Sequence, residues 1–139
     1  MAFWKRPDEG ADWLSGVSFF EGFSPSELKR VAALSTEVEA PAGTVLIDQG
    51  DTGVECFVIV EGTVSVYIGT DPVATNGPGA VVGEMALVDH RPRSASVIAE
   101  TDVRLLRFDS RHFRQLLAEM PKAEERIMAM LTARLRARH

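Results

Sequence analysis

The chain has 139 residues, 45% of them hydrophobic and 25% charged, a balance that suits one packed domain and excludes wholesale disorder. Fifteen Lys and Arg against twenty Asp and Glu give a formal charge of -5, which disfavours a dedicated nucleic-acid binder. An anionic small molecule would still need only one well-placed arginine.

The single cysteine, Cys56, excludes an intramolecular disulfide and any thiolate cluster for zinc or iron-sulfur. It lies in the apolar run CFVIV and reads as a buried structural thiol. No segment reaches the ~18 apolar residues of a membrane-spanning helix. The start, MAFWKRPDEG, has no continuous apolar stretch behind Lys5 and Arg6, so it does not read as a signal peptide. A cytoplasmic location is the default expectation.

Residues 1–14 place Trp4 and Trp13 among charges, Pro7 and Gly10, and read as an N-terminal arm that docks by its aromatic side chains. Ser24-Pro25-Ser26-Glu27 carries the signals of a helix start. Ser24 can cap, Pro25 fits the first helical position and Glu27 can close a capping box. Phe23 and Leu28 can form a hydrophobic staple, and Leu28, Val31 and Ala32 continue an apolar stripe, so a helix is predicted over about 25–35.

Between about 37 and 108 short apolar runs alternate with glycine: TVLIDQG, CFVIVEG, TVSVYIG, AVVG, SASVIAE and VRLLRF. Val64, Val66 and Ile68 alternate with Ser65 and Tyr67, the two-residue period of a half-buried strand. Many short strands with glycine turns predict a barrel, roll or jelly roll. From 110 to 138 helical spacing returns. Phe113, Leu116, Leu117 and Met120 share one face, Pro121 marks a break, and Ile127, Met130, Leu131 and Leu135 form the stripe of a last helix. Arg134, Arg136 and Arg138 crowd its end, where cations complement the helix dipole. Residues 15–139 are thus expected to be one domain.

The most site-like segment runs from Gly79 to Val97. Gly83 permits a tight strand-to-helix corner and close approach of a ligand. Glu84 to Val88 can make one helical turn. Arg93 follows a turn at Pro92, and a buried guanidinium there needs an anionic partner such as phosphate. Residue pattern alone leaves a second reading open: an Arg93–Glu84 ion pair within a turn, with Ser94 capping backbone.

This segment resembles the phosphate-binding cassette of the cyclic nucleotide-binding domain family, of the form F-G-E-x-A-L … P-R-[AST]-A-[ST]-V. The chain reads V-G-E-M-A-L-V-D-H-R-P-R-S-A-S-V, with the family's nine-residue step from Glu84 to Arg93. Gly43, Gly50-Asp51-x-Gly53 and Phe57-Val58-Ile59-Val60-x-Gly62-x-Val64 resemble the glycine-rich first half of the family's roll. The resemblance covers roughly residues 15–135. It implies a mainly β fold, an eight-stranded β-roll of jelly-roll type with an N-terminal helix and C-terminal hinge and lid helices. It implies that Arg93 pairs with a cyclic phosphate, helped by backbone N–H groups near Ala86 and by Ser94 or Ala95. Glu84 is implied to accept from the ribose 2'-OH, Gly83 to let the ribose lie against backbone, and Met85 and Val97 to be apolar neighbours. Val82 departs from the family's Phe but stays apolar. Ser94 alone does not decide between cAMP, the favoured ligand, and cGMP.

The expected function is a stand-alone cyclic-nucleotide sensor that carries no cofactor. Its C-terminal helix, about Lys122 to Arg138, would move about Met120-Pro121 and be read by a protein effector or a second copy. Met130, Leu131, Arg134 or Leu135 would supply base contacts. The alternative is a β-roll interaction module that binds no nucleotide. An enzyme is not expected. His90, His112 and His139 have no metal spacing and read as exposed or terminal. Ser24 and Ser110 read as helix caps, Asp48, Asp51 and Glu55 lack the register of a calcium loop, and Met120, Met128 and Met130 read as core.

Overall fold

Residues 3–6, 8–53, 55–87 and 91–137 are described in a computed structural model. The expectations placed on Pro7, Val88, Asp89, His90, Arg138 and His139 lie outside the described residues. The stretch read as an arm carries a helix, α1 (Glu9–Leu14), whose Leu14 is fully buried. Trp4 packs against Trp13, and Phe3 N donates to Glu37 Oε2 at 2.5 Å. After a 3-10 turn at Ser18–Phe20 comes α2 (Pro25–Leu34). Its capping box forms as the residues predict. Ser24 Oγ accepts from Glu27 N at 3.2 Å, and Glu27 Oε1 accepts from Ser24 N at 2.8 Å. Phe23 and Leu28, the two staple residues, are buried in one cluster.

Eight strands follow among the described residues: β1 (Thr36–Ala40), β2 (Val45–Ile47), β3 (Glu55–Glu61), β4 (Val64–Ile68), β5 (Asp71–Asn76), β6 (Val81–Val82), β7 (Ser96–Ala99) and β8 (Val103–Asp109). They form two four-stranded sheets, in the orders β1-β8-β3-β6 and β2-β7-β4-β5. Every pairing is antiparallel. This is the eight-stranded, jelly-roll-type architecture expected for the segment, flanked by helices.

The first sheet explains its own sequence. It lies between the helices on one face and the second sheet on the other, so β3 is apolar at successive positions rather than alternate ones. Cys56 and Val58 join the helical cluster, while Phe57 and Ile59 join the cluster inside the roll. In β8, Leu106 and Phe108 face the helices, and Val103 and Leu105 face the roll. Two strands carried no sequence signal. β1 reads TEVEA, with only Ala40 buried. β5 reads DPVATN and is almost wholly exposed. It is an edge strand, the place in a sheet where a proline such as Pro72 is tolerated, and its register against β4 shifts between Val66 and Tyr67.

Two helices close the fold, α3 (Ser110–Ala118) and α4 (Pro121–Ala137). The cap of α3 is Asp109, not Ser110 as the sequence suggested. Asp109 Oδ1 accepts from Arg111 N at 2.8 Å and His112 N at 3.3 Å. A carboxylate there also complements the positive end of the helix. His112 is exposed. Phe113, Leu116, Leu117 and Met120 are buried together with Ala123, Ile127 and Leu131. Phe20, Phe108 and Phe113 stack at centroid distances of 6.3, 6.1 and 5.4 Å, joining N-terminal turn, sheet and α3. Arg126 of α4 lies over the Phe23 ring at 5.3 Å. The helix break at Met120-Pro121 separates α3 from α4 as predicted.

Candidate ligand-binding site

The corner between β6 and the next element is made by Gly83, whose φ is +81°. An L side chain rarely adopts that conformation. A Cβ there would also stand 2.9 Å from Glu55 O. The chain then makes a 3-10 turn at Glu84–Leu87, the helical turn expected of the cassette. Its geometry is tighter than that of an α-helix.

Arg93 returns toward this corner. Its Nη1 donates to Gly83 O at 3.1 Å and its Nη2 to Glu55 O at 2.5 Å. Its backbone is held as well. Arg93 N donates to Asp51 O at 2.7 Å, and Gly50 N donates to Arg93 O at 2.8 Å. The guanidinium is half-buried, and among the described residues it forms no ion pair. Burial pushes its pKa below the ordinary value, while Cys56, Glu55 and Glu84 pull it back up. A positive group seated on carbonyls beside a cavity, with no carboxylate in ion-pair contact among the described residues, has the chemistry to accept an anion.

The Arg93–Glu84 ion pair left open by the residue pattern does not form. Glu84 pairs instead with α4: Arg134 Nη1 lies 3.0 Å from Glu84 Oε1. The Glu84 side chain is 15% exposed and that of Arg134 44%, so this bond tethers the end of α4 to the cassette turn at little gain in stability.

A cavity of about 260 Å³ opens beside Arg93. Gly83, Glu84, Met85, Arg93, Ser94, Ala95 and Val97 all line it. Of the residues implied by the resemblance, these seven are brought together. Ala86 is in the adjoining 3-10 turn. Ser94 is exposed and Val97 buried, while Met85 also packs against the helical core. Ile47, Val66, Val82, Asn76 and Arg91 complete much of the wall. Neither Ile47 nor Val66 was expected at the site, although the alternation of β4 marked Val66 as a strand position. What brings them to the cavity is that both pair with Val97 on the second sheet, which needs the pairing to be known.

Among the described residues none of α4 lines the cavity. Leu131, one of four residues expected to touch the base, is fully buried in the helical core. Met130 packs against that core, and Arg134 reaches the site only through Glu84. Cys56 is buried beneath the same corner, and burial with the nearby Glu84 charge pushes its thiol up to about 12, against a smaller lowering from Arg93. It is a structural thiol, not a nucleophile. No group of three His, Cys, Asp or Glu among the described residues could hold a metal ion, and no helix there is long and apolar enough to cross a membrane.

Fold and site together describe a two-sheet β-roll with a cavity at the β6 corner. The family model described as "Cyclic nucleotide-binding domain" matches residues 37–120, and the chain belongs to that family. It is 39% identical over 112 residues to the Pycsar effector protein XpPycTIR of Xanthomonas perforans, covering 80% of this chain and 37% of that one. It is 37% identical over 123 residues to the cyclic nucleotide-gated potassium channel mll3241 of Mesorhizobium japonicum, covering 87% and 34%. The chain thus spans about a third of the length of these two relatives. Among solved structures, a cyclic nucleotide-binding domain from Methylobacillus flagellatus superposes with a TM-score of 0.73 at 30% identity, over 94% of this chain and 79% of that one.

Proposed function

We propose that the chain binds a cyclic nucleotide, with cAMP the preferred ligand, in the cavity beside Arg93 and acts as a sensor or regulatory module without catalysing a reaction. The observation that carries the reading is Arg93: a half-buried guanidinium fixed to Gly83 O and Glu55 O, without a carboxylate partner among the described residues, facing a cavity. The cyclic phosphate supplies the missing negative charge, with Ser94, Ala95 and the backbone N–H near Ala86 as further donors. Glu84 accepts from the ribose 2'-OH, and Gly83 lets the sugar approach the backbone. Ile47, Val66, Val82, Met85 and Val97 give the base an apolar setting. That suits adenine, which presents fewer polar groups to leave unsatisfied than guanine.

The output is a change in α4. Glu84 is both the ribose acceptor and the partner of Arg134, so ligand and α4 act on one carboxylate. Binding must favour one arrangement of α4 over the other for a signal to pass. Its reader would be a protein effector or a second copy of the chain.

Thermal unfolding of nucleotide-stripped protein tests the reading. A ligand specific for the folded state, at about 100 times its Kd, stabilises by about 2.7 kcal/mol. A rise in Tm is expected with cAMP and not with 5'-AMP, whose phosphate is not cyclised. The rise should vanish in Arg93→Ala, where truncating a charged hydrogen-bonding partner costs about 2–5 kcal/mol of binding. An equal rise in Arg93→Ala would remove the role assigned to this residue.

A further inference from the structure

The guanidinium of Arg93 lies directly on Gly53. An ideal Cβ at Gly53 would stand 2.5 Å from Arg93 Cζ and closer still to Nε and Nη2. The three nearest heavy atoms to that position all belong to Arg93, so it is this side chain that a Cβ would meet first. The backbone of Gly53 does not demand glycine, since its φ is not in the left-handed range. The demand is steric. It differs in kind from that at Gly83, where a Cβ would meet the backbone oxygen Glu55 O at 2.9 Å.

The surroundings of Gly53 point the same way. The loop between β2 and β3 binds Arg93 at both backbone groups, through Gly50 N and Asp51 O, and Glu55 O at its far end takes Nη2. Arg93 stands between two hollows. One is the ligand cavity, and the other, of about 240 Å³, is lined by Asp48, Asp51, Thr52, Gly53 and Glu55 among others. A displaced guanidinium therefore has somewhere to go, and a long flexible side chain moves more cheaply than backbone.

We propose that Gly53 is a positioning residue for the anion site: its missing side chain is the seat that holds the Arg93 guanidinium against Gly83 O and Glu55 O, facing the cyclic phosphate. This rests on the cavity being the cyclic-nucleotide site. Gly53 touches no ligand and acts only through Arg93.

The test compares wild type, Gly53→Ala, Arg93→Ala and the double variant by calorimetric titration with cAMP and cGMP. Gly77→Ala is the control, since a Cβ there meets nothing closer than 4.0 Å. The Arg93 Nε–H resonance of the ligand-free protein is followed by NMR as a readout of guanidinium placement. In Gly53→Ala the affinity should fall about tenfold or more, as for a charged hydrogen-bonding group moved off its partner. The Nε–H resonance should shift or exchange faster, with the melting curve close to wild type. Adding Gly53→Ala to Arg93→Ala should cost nothing more, because the group through which it acts is gone. Wild-type affinity in Gly53→Ala, or an unchanged Nε–H resonance, would overturn the inference and leave the reading of the cavity standing. So would an unfolded Gly53→Ala chain, since the side chain and not the backbone is expected to yield. Wild-type protein that binds neither nucleotide would overturn the reading and the inference together.

Discussion

Arg93 and Cys56 lie at the same corner, and burial disfavours the charged form of both. Burial lowers the guanidinium's pKa and neighbouring negative charge, Glu55 and Glu84 included, opposes it, but arginine's ordinary pKa is so high that the group stays charged, with carbonyl oxygens accepting its hydrogen bonds. The thiol stays neutral because its setting is apolar and the carboxylate of Glu84 is near. Its native pKa of about 12 stands above the ordinary 9.0. A raised value means that the stabilising contribution is fully present below the unfolded thiol's pKa. It is lost as pH rises from there toward the native value, because the unfolded chain releases its proton first. Stability is therefore expected to decline from about pH 9 upward, and denaturant titrations over that range should show a shallower decline in Cys56→Ala. Equal slopes in the two proteins would show that Cys56 is not the group responsible. At this scale the sequence was informative where chemistry is local. The CFVIV run indicated the buried thiol, and the spacing in the cassette singled out Arg93. The partner of Glu84 was not legible, because Arg134 lies 50 positions away and nothing in its own neighbourhood sets it apart from Arg136. The role of Gly53 was hidden for the same reason. Glycine there looked like one more turn residue, and only the approach of a distant side chain distinguishes it.

At the scale of elements, helix α4 is joined to the rest of the molecule by two kinds of contact. Ala123, Ile127 and Leu131 are buried in the helical core and fix its first three turns. Arg134 is fixed only by the half-exposed bond to Glu84, which contributes on the order of 0–1 kcal/mol. The end of α4 is therefore the part of the helix that a ligand can move at small cost. Hydrogen exchange should show residues 130–137 opening faster in Arg134→Ala than in wild type, with the melting temperature nearly unchanged. Nucleotide should alter exchange there in wild type, and the alteration should be reduced in the variant. A ligand effect of full size in Arg134→Ala would mean that the cassette turn and α4 communicate by another route. The elements themselves followed the sequence unevenly. The capping box opened α2 where Ser24 and Glu27 placed it, and the short apolar runs became β2, β3, β4, β6, β7 and β8, the first four of them followed by glycine. β1 and β5 escaped notice because they bury little: a strand without an apolar face has no period to read. α1 escaped because six residues rich in charge and glycine carry little helix propensity, and its Leu14 is held by tertiary packing.

At the scale of the whole molecule, one sheet is shared by two cores. β3 and β8 send alternate side chains into the helical cluster and into the roll; Glu55 opens β3, Asp109 ends β8 as the cap of α3, and Gly83 follows β6, the neighbour of β3 in the same sheet. A ligand that draws on Arg93 and Glu84 therefore pulls on the roll and, through Arg134, on the helices at once. On the proposed reading, this is the route by which binding would reach α4. The architecture was legible because many short strands with glycine turns have few stable closures. The output partner was not, because an exposed helix face carries no signature of what reads it. The central claim is that the cavity beside Arg93 holds a cyclic nucleotide. Isothermal titration calorimetry of nucleotide-stripped wild-type protein with cAMP, and then with cGMP, tests it most directly. The account predicts saturable binding near one equivalent per chain, tighter for cAMP. No heat with either ligand over a range of temperatures, with an unchanged melting point, would contradict it and make the roll an interaction surface instead.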